Sequence, residues 1–167
     1  MRARLVSQAV IAILCPLAAS AGAQSRPPTA RVTLTGGYAG FVDDSWINHQ
    51  VVGGGAEWVV TPRIAVGPEL LYMIGPRVDR DLFVLGMARF GILPFSRRVV
   101  PVAIAGGGFM VHSDRFNGRT FRSAEGAFVF GGGARVGVTP NVYVTPELTM
   151  GWEPHVRASV NVGITLR

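Results

Sequence analysis

Catalysis in this chain would have to start at a histidine, and the spacing around the three histidines is poor. His112 and Ser113 are adjacent, so in an extended strand they point to opposite faces and cannot form a dyad. His155 and Ser159 share a face, but four strand residues separate them by ~13 Å. Glu147 and His155 fall on consecutive strands and meet only if the register sets them opposite each other. No group of histidines and carboxylates has the chain spacing of a metal site. The one cysteine, Cys15, lies in a leader segment and leaves the rest of the chain without a thiolate. Triple glycines at 53–55, 106–108 and 131–133 lack the following helix that a phosphate-cradling loop needs, and suit bends and close strand approach instead. These residues predict no enzyme, no cofactor and no metal.

The informative chemistry is electrostatic. Arg31, Glu57, Glu69, Arg89, Glu125, Arg135, Glu147 and Arg157 all occupy odd positions in strand-like segments. The even positions of the same segments hold Val32, Leu34, Tyr38, Trp58, Val60, Leu70, Tyr72, Val84, Phe90, Phe128, Phe130, Val144, Leu148, Val160, Val162 and Ile164. A period of two means strands with one apolar and one charged face. Four glutamates facing four arginines suit mutual pairing in a narrow closed interior, which predicts a lumen charge network made of those eight residues. The reverse orientation, apolar face inward, would describe a secreted lipocalin-like carrier.

Eight segments position these faces: about 30–41, 49–61, 64–74, 82–93, 99–112, 123–138, 142–152 and 155–166. They predict an all-β fold, an eight-stranded antiparallel up-and-down transmembrane β-barrel. Residues 61–63 and 139–141 read as tight Thr-Pro turns, and 94–98 as an intermediate one. Residues 42–48, 75–81 and 113–122 read as longer charged loops on the opposite end, the extracellular one. The 113–122 loop supplies a candidate interaction surface at Asp114, Arg115, Phe116, Arg119 and Arg122. Residues 53–70 and 131–148 repeat at an offset of 78 with 11 identities in 18 positions, suggesting two four-stranded halves. Pro68 and Pro146 occupy equivalent places in the repeat, and a bulge in each half is the expected accommodation. In the fourth and fifth segments the odd parity is apolar as well (Phe83, Leu85, Met87, Ala103, Ala105, Phe109), an expected lumen wall for a small hydrophobic ligand.

Residues 1–23 read as a signal peptide. Arg2 and Arg4 precede an apolar run over 5–19, and Ala21-Gly22-Ala23 supplies a cleavage site. Residues 24–29 form a short disordered lead-in, and 30–167 the barrel domain. All 16 basic residues are arginine, and the net charge of +6 falls to +4 once the leader is removed. Export argues against nucleic acid as a partner. Anionic lipid headgroups are the sharper expectation.

The glycine-rich strand, short turn and Pro-Glu-Leu strand of GGGARVGVTPNVYVTPEL resemble the penultimate hairpin of the outer membrane protein A and W barrel superfamily. The resemblance spans the chain after the leader and implies an integral barrel of the bacterial outer membrane, monomeric, with outer-membrane lipids and lipopolysaccharide as partners. Family members often end in an aromatic residue, whereas this chain ends Ile164-Thr165-Leu166-Arg167. A structural or surface-interaction role leads. A narrow channel or carrier for small hydrophobic or ionic solutes is the alternative, and a lipid-modifying enzyme a further one.

Overall fold

The alternation of charge and hydrocarbon resolves into eight strands: β1 (Thr29–Val42), β2 (Trp46–Thr61), β3 (Ile64–Ile74), β4 (Arg80–Gly91), β5 (Val99–Phe116), β6 (Arg119–Gly137), β7 (Val142–Gly151) and β8 (His155–Thr165). The computed structural model describes residues 29–42, 46–77, 79–116 and 119–166, the side chains of 114–116 excepted. The expected signal peptide and residues 24–28 of the lead-in lie outside the described residues. Thr29, placed in that lead-in by the sequence, opens β1.

Each strand pairs antiparallel with its chain neighbours, and β1 pairs with β8, so the sheet closes into a barrel without an edge. Closure gives every strand a hydrogen-bonding neighbour on both sides, as a strand structure in hydrocarbon must have. The charged parity points inward: Arg31, Glu57, Glu69, Arg89, Arg135, Glu147 and Arg157 are all buried. Val32, Leu34, Tyr38, Leu70, Phe90, Phe128, Phe130, Leu148, Val160, Val162 and Ile164 project outward, more than two-fifths exposed. Such an exterior is unfavourable in water and matched to lipid, which excludes the lipocalin-like orientation. Trp58, Tyr72 and Trp152 are exposed on this outer surface near strand ends, where aromatic side chains gird a bilayer.

One strand breaks the parity. Arg89 of β4 pairs with Ile104 of β5, and Val100 of β5 with Arg135 of β6, so odd positions face even ones on both sides. In β5 the inward residues are therefore Val100, Val102, Ile104 and Met110, while Ala103, Ala105 and Phe109 face outward. The expected apolar wall is corrected accordingly: Phe83, Leu85 and Met87 line the lumen, and the β5 members do not. The cause is local. The connection 92–98 delivers the chain in the opposite phase, and β5 carries no charge from Val99 to Val111 to declare its inner face.

The two prolines also differ from expectation. Between Gly55↔Glu69 and Trp58↔Val66 the β2–β3 ladder skips two pairs at Pro68, yet the register is unchanged across the gap. The β6–β7 ladder skips the equivalent two at Pro146, between Gly133↔Glu147 and Val136↔Val144. Proline has no N–H to donate, so pairing lapses on one side of each, with no bulge inserted. On the other side Pro68 stays opposite Gly86 and Pro146 opposite Val160.

The expected 113–122 loop is largely strand. Ser113↔Arg122, Asp114↔Phe121, Arg115↔Thr120 and Phe116↔Arg119 extend the β5–β6 ladder, leaving 117–118 as the connection. Likewise Trp46 opens β2 and Arg80 opens β4, positions the sequence had placed in loops.

Candidate functional site

Inside the barrel, β4 can be climbed residue by residue from the Thr-Pro turn end to the opposite mouth: Arg89, Met87, Leu85, Phe83, Asp81, every one buried. This order gives a charged layer, an apolar layer and a polar mouth.

Arg89 is the hub of the charged layer. Its Nε donates to Glu147 Oε1 at 2.9 Å and its Nη2 to Oε2 at 3.3 Å, a two-pronged contact. Nη1 lies 3.1 Å from Glu57 Oε1, and Nη2 lies 3.5 Å from Glu69 Oε2. β2, β3 and β7 thus each send one carboxylate to a single guanidinium on β4. Arg31 approaches Glu57 at 3.8 Å, and Arg157 approaches Glu69 at 4.0 Å while its Nε donates to Thr149 Oγ1. Three arginines therefore face three glutamates, which offsets much of the cost of removing six charges from water.

Two members of the expected network stand elsewhere. No described carboxylate comes within 4.0 Å of Arg135. Its guanidinium lies over the Tyr143 ring at 3.5 Å and the Phe95 ring at 5.1 Å, while the Tyr143 hydroxyl donates to Glu57. Glu125 sits half-buried on the projecting part of β6 and accepts from Trp152 Nε1 at 3.5 Å. Phe95, on the 92–98 connection, packs on the apolar core and stacks with Arg31 and Arg135, so that connection tucks under the turn end of the barrel. Phe95 N–H donating to Pro62 O at 2.8 Å holds it there.

Above the hub, Leu71, Met73, Phe83, Leu85 and Met110 fill the lumen with at most 1% exposure each. Between Arg89, Glu57, Tyr143 and Val102 the remaining void is about 10 Å³, roughly the room one water needs.

The Glu147–His155 juxtaposition does not occur: Glu147 stands opposite Ser159, and His155 opposite Gly151. His155 Nδ1 binds the Trp152 and Glu153 carbonyls, closing the β7–β8 turn, and its ring stacks on Phe41.

At the mouth the fold brings together residues that chain spacing kept apart. His49 of β2, Asp79 of the β3–β4 connection and Asp81 of β4 offer ligand-type atoms all within 4.8 Å of one another. His112 of β5 joins them, with Nδ1 2.7 Å from Asp81 Oδ1. The available signal was topological: His49, Asp81 and His112 lie at the mouth ends of β2, β4 and β5, and Asp79 in the connection from β3 to β4. Asp114, Arg115 and Phe116 are on β5 and Arg119 and Arg122 on β6; Arg119, Phe121 and Arg122 are exposed.

No family model and no curated protein matches the sequence. Solved structures do match the fold. Neisserial surface protein A superposes with a TM-score of 0.73 at 11% identity, over 82% of this chain and 97% of that one. The N-terminal β-barrel domain of Pseudomonas aeruginosa OprF gives 0.67 at 11%, over 84% and 98%. Ail, the attachment invasion locus protein of Yersinia pestis, gives 0.59 at 10%, over 84% and 98%. With the lipid-facing exterior and closed charged interior already described, this likeness of fold makes the chain a small transmembrane β-barrel of the bacterial outer-membrane type.

Proposed function

We propose that this protein is a non-enzymatic outer-membrane barrel with a sealed lumen, which presents the projecting β5–β6 hairpin to partners outside the cell. The carrying observation is the unequal height of the wall. β6 pairs with β7 only from Val129 onward, with the Phe128 carbonyl also taking the Trp152 N–H, so Arg119–Ala127 find ladder partners on β5 alone. β5 pairs with β4 as far as Ser113, so the ladder from Asp114↔Phe121 to Phe116↔Arg119 projects beyond both neighbouring strands, and Arg119, Phe121 and Arg122 are exposed. Arg119 shares a face with Phe121 and Arg122 lies on the other; exposed guanidinium groups suit anionic headgroups and sugar phosphates of lipopolysaccharide, which a guanidinium binds in bidentate fashion. Neisserial surface protein A and the attachment invasion locus protein carry names that speak of surface and attachment; that agreement in fold supports the reading.

The sealed lumen rests on the Arg89 hub, the apolar layer above it and Phe95 beneath. Planar-bilayer recording of the purified protein tests it: no unitary currents are expected, and steady single-channel steps would replace this reading with a channel. Removing the hairpin tip should then abolish binding to lipopolysaccharide-coated surfaces while the barrel still folds. Unchanged binding would move the interaction surface elsewhere.

A further inference from the structure

The four mouth residues meet in a closed set of contacts. His49 Nε2 lies 2.9 Å from Asp79 Oδ2 and 3.4 Å from Asp81 Oδ2. His112 Nδ1 lies 2.7 Å from Asp81 Oδ1 and 3.7 Å from Asp79 Oδ1. Each imidazole therefore spans both carboxylates, and each carboxylate spans both imidazoles. Tetrahedral zinc with ligand bonds of about 2.0–2.2 Å sets its donor atoms about 3.3 Å apart, close to the separations of His49 Nε2 from Asp79 Oδ2 and Asp81 Oδ2.

Three further features point the same way. His49 Nδ1 faces the Ile47 carbonyl at 3.4 Å, the backbone contact that fixes a metal-binding histidine with its Nε2 lone pair forward. In that tautomer the Nε2 lone pair points between the two carboxylates, where a cation would take the place of the Nε2 proton that otherwise bridges to Asp79. Asp79 Oδ1 is buried with no hydrogen-bond donor. Gly75 leaves the space open: a Cβ there would come within 2.3 Å of His49 Nε2 and 2.6 Å of Asp79 Oδ2. Arg80 Nη1 donates to the Gly75 and Asp79 carbonyls and holds that connection in place. A mouth cavity of about 240 Å³, lined also by Phe41 and Glu153, connects the cluster to the outside.

We propose that His49, Asp79 and Asp81 bind one divalent transition-metal ion of the zinc class at the mouth of the barrel, with His112 holding Asp81 by its other oxygen. Imidazole donors select zinc, copper or nickel over magnesium and calcium, which prefer oxygen alone. His49 is buried and His112 one-third exposed, so the ion enters from the mouth past His112.

The test is zinc titration of protein extracted from outer membranes in detergent, stripped of metal and followed by calorimetry. One Zn²⁺ per barrel is expected, with Mg²⁺ and Ca²⁺ failing to compete. His49→Ala and Asp81→Asn should weaken binding about 100-fold or more, and Gly75→Ala should do so without removing a ligand. Each variant is compared only where it keeps the heat-dependent mobility shift of a folded barrel. X-ray absorption at the zinc edge of the unmutated protein needs no variant: histidine scattering with N/O donors at about 2.0–2.1 Å is expected. No zinc uptake, a shell without histidine, calcium outcompeting zinc, or folded variants that bind like the parent would each overturn the site.

Discussion

The β2–β3 and β6–β7 hairpins are built alike and charged differently. In each, a threonine hydroxyl closes the turn: Thr61 Oγ1 accepts from Ile64 and Arg63 N–H, and Thr139 Oγ1 from Val142 and Asn141 N–H, at 3.0 and 3.3 Å in both. In each, a glycine faces a proline carbonyl so closely that a Cβ would lie 2.4 Å from its oxygen, at Gly55 against Pro68 and Gly133 against Pro146. Each also sends a glutamate, Glu69 or Glu147, to Arg89. The pairing of Glu57 with Arg135 departs from this likeness. A second glutamate at 135 would give four carboxylates converging on one arginine. Arginine there moves onto Tyr143 instead, leaving three glutamates for Arg89, Arg31 and Arg157. The duplicated part is the backbone device; the interior charge balance comes from the one position where the copies differ in sign.

The largest effect should follow loss of the shared hub. Arg89→Ala leaves three buried carboxylates short of a cation and should cost about 3–5 kcal/mol in denaturant unfolding of the vesicle-inserted barrel. Adding Glu147→Gln should recover part of that, and no recovery would mean the charges are not coupled. The two repeated glutamates should then separate. Glu147 makes the two-pronged contact and Glu69 a single longer one, so Glu147→Gln should cost about 2–3 kcal/mol and Glu69→Gln about half as much. Gly55→Ala and Gly133→Ala should each cost about 1–3 kcal/mol, because a neighbouring backbone carbonyl must move. A large difference between them would show that the halves are not mechanically equivalent. Smallest and most nearly equal should be Thr61→Val and Thr139→Val, at about 1 kcal/mol each.

The sequence made the strands legible because charge appears on alternate positions of seven of them. Arg31, Glu57, Glu69, Arg89, Arg135, Glu147 and Arg157 marked the interior before any contact was known. β5 stayed illegible for the converse reason: both of its parities are apolar, so a change of phase in the 92–98 connection left no trace. Nor could pairing be read. Glu57, Glu69 and Glu147 meet Arg89 from three strands, and only barrel closure and stagger decide which of them reach across. The His49–Asp79–Asp81–His112 cluster was hidden likewise, its members scattered over 64 positions of chain and joined by topology alone. Glu125 had the right parity but too great a height on β6, and parity says nothing about depth.

The whole account depends on which side chains look toward lipid, and β5 beside β4 is where that question is sharpest. Single spin labels at residues 86–90 and 101–105, in protein reconstituted into vesicles, should be read for collisions with dissolved oxygen, which partitions into hydrocarbon. High accessibility is expected at the even positions of β4 (Gly86, Ala88, Phe90) and at the odd positions of β5 (Pro101, Ala103, Ala105). Water-soluble nickel chelates reaching those positions instead, or oxygen maxima at Arg89 and Ile104, would contradict the inverted barrel and the Arg89-centred interior together.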